Sequence, residues 1–334
     1  METPSTAPDI ATSSSSLPLL EEKPPGFARR WWIYQRERFP LLAHGPLIAA
    51  FSFCAVSFSA LLRGAHGWPA AGAIVVAFAN SFCAFLQLRL ADEFKDLEED
   101  TRYRPYRPVP RGLVTLRQLG WLWAGSALVQ ASLALWLDWR LLGWLALTWL
   151  YLAGMSKEFF VRDWLKARPV TYLWTHMLIM PLIDFYATAC DWLPALGGHA
   201  PHGLGWFVAT SFCNGIVIEI GRKLRAPEAE EIGVPTYTAQ WGRPRAVAAW
   251  LGALAATLLC AGLAARRIGF VTPVLCVLGV LLSLAAAASF SFLKKPVAGR
   301  AKAFEPLAGV WTLALYLMLG AVPLAIRLLG TNPP

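Results

Sequence analysis

Asp92, Glu93, Asp96 and Asp100 fall within one nine-residue stretch, "DEFKDLEED", at the end of an apolar run. Continued as a helix, this stretch repeats Asp92, Asp96 and Asp100 every four residues, while Glu93, Asp96 and Asp100 follow a three-then-four spacing. Either set lies along one helical face. Carboxylates stacked in this way repel by about 0.2–0.5 kcal/mol per exposed pair, and by more where water is scarce. A cation between them is therefore expected. Mg²⁺ suits the position, because it takes one or two carboxylates, keeps several waters and completes its octahedron with substrate phosphates. Arg104 and Arg107 follow at once in "RPYRPVPRG". Their planar guanidinium groups can each donate two parallel hydrogen bonds to a phosphate. The competing reading is a solvated acidic helix end followed by a basic loop.

These residues need a scaffold, and composition bounds its type. The chain has 334 residues, 56% hydrophobic and 15% charged, with a mean hydropathy of +0.47. That leaves too little polar surface to cover a soluble globule and points to a polytopic membrane protein. The net charge of +9 raises nucleic acid as a partner, but the basic residues sit between apolar segments, where orientation signals belong. No nucleic-acid partner is expected, and no protein partner is evident. The six cysteines lie singly within apolar segments, without metal spacing or a disulfide framework, and read as small buried hydrophobes.

The first 28 residues are rich in Ser, Thr and Pro and lack a basic leader with an apolar core. They read as a disordered tail, with residues 1–34 preceding a transmembrane domain over 35–330. Against the roughly 20 residues needed to span a bilayer, nine apolar windows can be marked. They fall at about 40–62, 70–91, 116–137, 140–156, 169–190, 204–224, 244–264, 270–292 and 305–328. The fold expected is an all-α bundle of about nine transmembrane helices around a central cavity. Alternating the windows across the bilayer puts 23 Lys and Arg on the side of the N-terminus and five on the other. That asymmetry makes the N-terminus and the acidic stretch cytoplasmic.

Other polar residues inside the windows carry weaker signals. Asp184, in "MPLIDFYA", lies within the fifth window, where an acid costs about 2.5–3.5 kcal/mol to insert. It either lines a substrate pocket or pairs with His176 two turns earlier. His199 and His202 lie beside Gly and Pro on the side opposite the acids and read as a surface loop. Asn80 and Gln87 lie on the second window below the acids and suit either interhelical hydrogen bonds or substrate contact.

The pattern Asp92-Glu93-x-x-Asp96-x-x-x-Asp100 followed by Arg104-Pro105-x-Arg107-Pro108-x-Pro110-x-Gly112 resembles the first signature of the UbiA-type superfamily of intramembrane prenyltransferases. Its usual form is NDxxDxxxD followed by an RPxRPxxSG-like loop. Here Asp92 stands at the Asn position, Glu93 at the first Asp and Arg111 at the Ser. The resemblance covers roughly residues 35–330. It implies a second acidic motif after the sixth span, where this chain has Glu219 to Thr236, followed by "GVPTYTAQWG" from Gly233. The second motif is altered. Counting from Glu219 puts Lys223 at the second carboxylate, so Glu219, Glu228 and Glu231, then Glu230, are the acids that could serve.

The resemblance further implies Mg²⁺-dependent transfer of an isoprenyl group from a polyprenyl diphosphate to a lipophilic, aromatic-type acceptor. The protein would be a multi-pass enzyme of a bacterial-type inner membrane, surrounded by lipid. Asp92, Glu93, Asp96, Asp100, Glu219, Glu228 and Glu231 would hold metal, with Asp96 and Asp100 central to catalysis. Arg104, Arg107, Arg222, Lys223 and Lys157 would contact the diphosphate, and Asp184 the substrate pocket. A cyclase on the same fold, closing the allylic cation on its own chain, is the nearest alternative. A transporter predicts ionisable groups near the bilayer midplane and repeated halves; the acids here cluster at one interface instead.

Overall fold

The computed structural model describes residues 26–231 and 233–330, and these are helical with short connections and no strands. In chain order the helices are α1 (Phe27–Arg38), α2 (Leu41–Leu62), α3 (Ala71–Lys95), α4 (Leu97–Tyr103), α5 (Leu116–Leu137), α6 (Leu141–Ser156), α7 (Arg162–Lys166) and α8 (Pro169–Met177). They continue with α9 (Ile179–Ala195), α10 (Leu204–Gly221), α11 (Tyr237–Trp241), α12 (Arg243–Arg267), α13 (Val271–Lys294), α14 (Ala298–Ala301), α15 (Phe304–Leu319) and α16 (Ala321–Gly330). The expected tail boundary falls inside α1: residues 27–34 are helical, and Tyr34 is buried against Leu90, Val114 and Leu119. The rest of the expected tail, residues 1–25, lies outside the described residues.

Each of the nine apolar windows is helical. Seven of the spans are long and apolar enough to cross a bilayer by length and composition, the last running from Ala298 to Gly330. The other two windows are α6, with only 16 residues, and the pair α8 and α9, divided at Leu178. Local chemistry sets several boundaries. Thr115 and Gln118 form a reciprocal capping box at the start of α5, and Pro169 opens α8, where its missing N–H costs nothing.

α2 lies at the centre of the bundle and α13 at its edge, with 61% and 17% of their most apolar windows buried. α2 packs on α3, α9 and α15, and α10 runs along α12. Trp121 and Trp136, near the two ends of α5, and Trp139 just beyond it present exposed rings, as expected of lipid-facing aromatic belts. Ion pairs join segments at matching ends of the bundle. At the end away from the acids, Arg63 clamps Asp191 with two 2.9 Å hydrogen bonds, and Arg140 pairs with Asp138. His199 and His202 are exposed at that same end, as a surface loop would be.

Among the described residues a narrow crevice too tight to admit a water molecule is lined by Asn80, Ser81, Ala84, Thr148, Ile183 and Tyr186. Aromatic side chains fill the bundle around it. Phe51 packs on Phe85 and Tyr316, and Phe207 on Phe58 and Tyr316.

Candidate active site

The acidic stretch straddles a break between two helices. α3 ends at Lys95, Asp96 serves as its cap and as the N-cap of α4, and Asp100 lies in the next turn. The chain thus delivers its four acids to one end of the bundle, but they do not share one environment. Glu93 is buried and ion-paired with Arg38, which reaches across from α1. Asp100 is buried and held by Arg107 and by Arg104, the latter at 3.1 Å. The arginines expected to face phosphate therefore also fix this acid. Asp92 is about half exposed and pairs with Arg89 at 3.5 Å.

Asp96 accepts no side-chain hydrogen bond and forms no ion pair among the described residues. Burial pushes its carboxyl above the usual carboxylate range; the like charge of Asp92 adds to this, and Lys95 opposes it.

Lys95 is engaged elsewhere. Its Nζ lies 2.7 Å from Glu158 Oε1 and donates to Tyr172 Oη at 2.7 Å. His176 approaches the same carboxylate, with Nε2 3.2 Å from Oε2, and its ring stacks on Tyr172. Burial alone would raise the Glu158 carboxyl, but hydrogen bonds from His176 and Lys95 prevail and hold it at about 2. Glu158, Phe159 and Phe160 all adopt left-handed backbone, with φ of 50°, 51° and 62°. Such conformations cost non-glycine residues about 1–3 kcal/mol each and persist only where surrounding contacts impose them. The sequence reading singled out Lys157; the structure leaves Lys157 exposed and buries its neighbour Glu158. His176 pairs with Glu158, so the Asp184–His176 pair, one of the two alternatives for Asp184, does not form. Asp184 is instead fully buried and accepts a 2.6 Å hydrogen bond from Tyr316.

The second motif closes against the first. Glu219, near the end of α10, is buried, and accepts from Arg222 Nε at 2.6 Å while Lys223 Nζ lies 2.8 Å away. Glu219 is the main cause holding the Arg222 guanidinium above its usual range, and Asp92 adds to it. The field of a first-motif acid thus reaches a second-motif arginine. Lys223 sits over the Tyr237 ring, 5.6 Å from its centroid. Contact between the motifs is direct at Gly233, where a Cβ would lie 2.7 Å from Cγ of Tyr103 on α4. With φ at +79° as well, that position accepts only glycine without rearrangement.

The remaining second-motif acids organise the loop. Glu230 accepts from Thr236 and Thr238 at 2.6 and 2.7 Å, Glu231 pairs with Arg225 at 2.8 Å, and exposed Glu228 accepts from the backbone N–H of Ala298 at 2.6 Å. Glu228 and Glu231 share no partner with the first-motif acids. Deeper in the bundle, Gln130 donates to Asn80 and Gln87 donates to Ser126, tying α3 to α5 by interhelical hydrogen bonds.

Among the described residues no group of three or more His, Cys, Asp or Glu side chains is placed to hold a metal ion. Two carboxylates are nonetheless open to one. Asp92 and Asp96 lie four residues apart, Asp92 has Arg89 at 3.5 Å, and Asp96 forms no ion pair among the described residues. Hard oxygen donors in that number fit Mg²⁺, which keeps waters or takes phosphate oxygens in its other positions.

The UbiA prenyltransferase family model matches residues 49–313. Two solved structures share the fold. A structure of digeranylgeranylglyceryl phosphate synthase superposes with a TM-score of 0.60 at 14% identity, covering 88% of this chain and 99% of that one. An apo structure of a UbiA homolog from Aeropyrum pernix K1 gives 0.62 at 14% identity, covering 84% and 97%. A search of curated proteins gives no match. With the family model spanning most of the chain and the helical fold agreeing over nearly all of its described length, this protein belongs to the UbiA prenyltransferase family.

Proposed function

We propose that the protein transfers an isoprenyl group from a polyprenyl diphosphate to a lipophilic, aromatic-type acceptor within the membrane, with Mg²⁺ as cofactor. The observation that carries this reading is the division of labour among the acids. Glu93, Asp100 and Glu219 are buried against their own cations, whereas Asp92 is about half exposed with Arg89 at 3.5 Å and Asp96 forms no ion pair among the described residues, so these two are left to bind one. Mg²⁺ bound there would neutralise charge developing on the departing diphosphate.

The chain's own residues do the rest. Arg222 and Lys223, on the second motif and within the field of Asp92, supply donors to the diphosphate. Arg104 and Arg107 remain on Asp100 and present their other guanidinium N–H groups to it. The hydrocarbon tail would run into the bundle below α3, where Phe51, Phe85 and Tyr316 exclude water from an allylic cation and offer it π faces. Asp184 is held by Tyr316, one of these rings. The second motif and the terminus of the chain lie on the cytoplasmic side in this reading.

The test is diphosphate release by purified protein supplied with Mg²⁺ and isoprenyl diphosphates of several lengths, with and without aromatic acceptors. Release that depends on metal and acceptor is expected. Release of a cyclic hydrocarbon without acceptor would replace transfer by cyclisation, and no metal-dependent release would reject both.

A further inference from the structure

Asp92, Glu93, Asp100, Glu219 and Glu231 each pair with an arginine or lysine, and among the described residues Asp96 does not. Asp96 follows Lys95 directly, yet Lys95 is drawn away to Glu158 and Tyr172. Glu158 itself is buried, set in a left-handed turn of three non-glycine residues after α6, and flanked by His176 and Tyr172 of α8. Nothing in the local sequence requires that turn. A backbone this unfavourable is held in place by its contacts, and through it the Glu158 carboxylate reaches the cation beside Asp96.

We propose that Glu158 is a positioning residue that neutralises and holds Lys95, so that Asp96 stays free and its surroundings stay negative enough to take a divalent cation. This inference rests on the proposed function, since it concerns the cation bound at Asp92 and Asp96. It assigns a role to a carboxylate that neither acidic motif contains. Its physical content is a sign rule. Removing Glu158 alone leaves an uncompensated positive charge next to the site and opposes cation binding; removing Lys95 alone leaves a negative charge and favours it; removing both returns the balance to that of the native pair.

The experiment measures Mn²⁺ binding to purified full-length protein in detergent by electron paramagnetic resonance, without substrate. Compared with wild type, Glu158→Gln is expected to bind at least tenfold more weakly, within the range seen when outer-shell partners of metal ligands are removed. Lys95→Met should bind several-fold more tightly, and Lys95→Met/Glu158→Gln should return to within about threefold of wild type. A purely structural role predicts weaker binding in all three. If Glu158→Gln does not fold, the Lys95→Met and double variants still decide, because weaker binding in either overturns the proposal. Wild-type binding with no change in Glu158→Gln would overturn this inference alone. Absence of Mn²⁺ binding in the wild type would overturn the proposed function and this inference with it.

Discussion

Arg38→Met tests whether Glu93 is a paired charge or a metal ligand. The Arg38 and Glu93 side chains are only 9% and 1% exposed, so solvent screens little of their interaction. Removing the guanidinium while keeping the carboxylate leaves an uncompensated buried charge, a change that costs about 3–5 kcal/mol in buried pairs. At 1.36 kcal/mol per factor of ten, that is a loss of about two to nearly four powers of ten in the folding equilibrium constant. Removing both charges, as Arg38→Met/Glu93→Gln, costs far less, because apolar or neutral replacement of a whole buried pair is often close to neutral. The assay is denaturant unfolding in detergent micelles for wild type, the single variant and the double variant. The single variant should be the least stable and the double variant should recover most of the loss. A single variant as stable as wild type, or a double variant no better than the single, would refute the pairing.

Asp96→Asn should lower turnover at least a hundredfold while changing stability by less than about 1 kcal/mol, since its side chain has no partner to lose; parallel activity and unfolding measurements check both. Tyr316→Phe strips the buried Asp184 carboxylate of its 2.6 Å donor and should destabilise the fold by about 1–3 kcal/mol in the same unfolding assay. Glu158 has its carboxyl depressed from 4.5 to about 2, so its contribution to stability is complete above about pH 4.5 and is lost as pH falls toward 2. Stability measured across that window should fall less steeply in Glu158→Gln than in wild type. Gly233→Ala places a methyl group against the Tyr103 ring at a φ of +79°, and should cost both stability and activity, as read by unfolding and product formation.

The apolar windows were legible in the sequence because bilayer length and charge asymmetry act over long stretches of it. The break at Leu178 and the second break at Gly320 were not; at Gly320 the helix answers to a neighbour, because a Cβ there would run into the Cys54 carbonyl of α2. The four-residue spacing of Asp92, Asp96 and Asp100 could be read directly, but their separate fates could not. Arg38 finds Glu93 across 55 residues, and Lys95 passes over its neighbour Asp96 for an acid 63 residues away. Ion pairs of that kind leave no periodic trace. Lys157 was implied by the family resemblance, which places a basic residue there, whereas the left-handed turn that buries Glu158 beside it carries no glycine to announce it. The position of α1 was missed because its basic, Trp-containing stretch reads as a continuation of a polar tail until Tyr34 and Arg38 are seen against α3 and its neighbours.

In the proposed reaction, cations held at the Lys95 end of α3 draw diphosphate from an isoprenoid chain. The most direct measurement is inorganic diphosphate released from an isoprenyl diphosphate by purified wild-type protein and Asp96→Asn, titrated with Mg²⁺ in the presence of an aromatic acceptor. Release that rises with Mg²⁺ in the wild type, is matched by prenylated acceptor and disappears in Asp96→Asn is the predicted result. Release independent of Mg²⁺, or undiminished in Asp96→Asn, would contradict it.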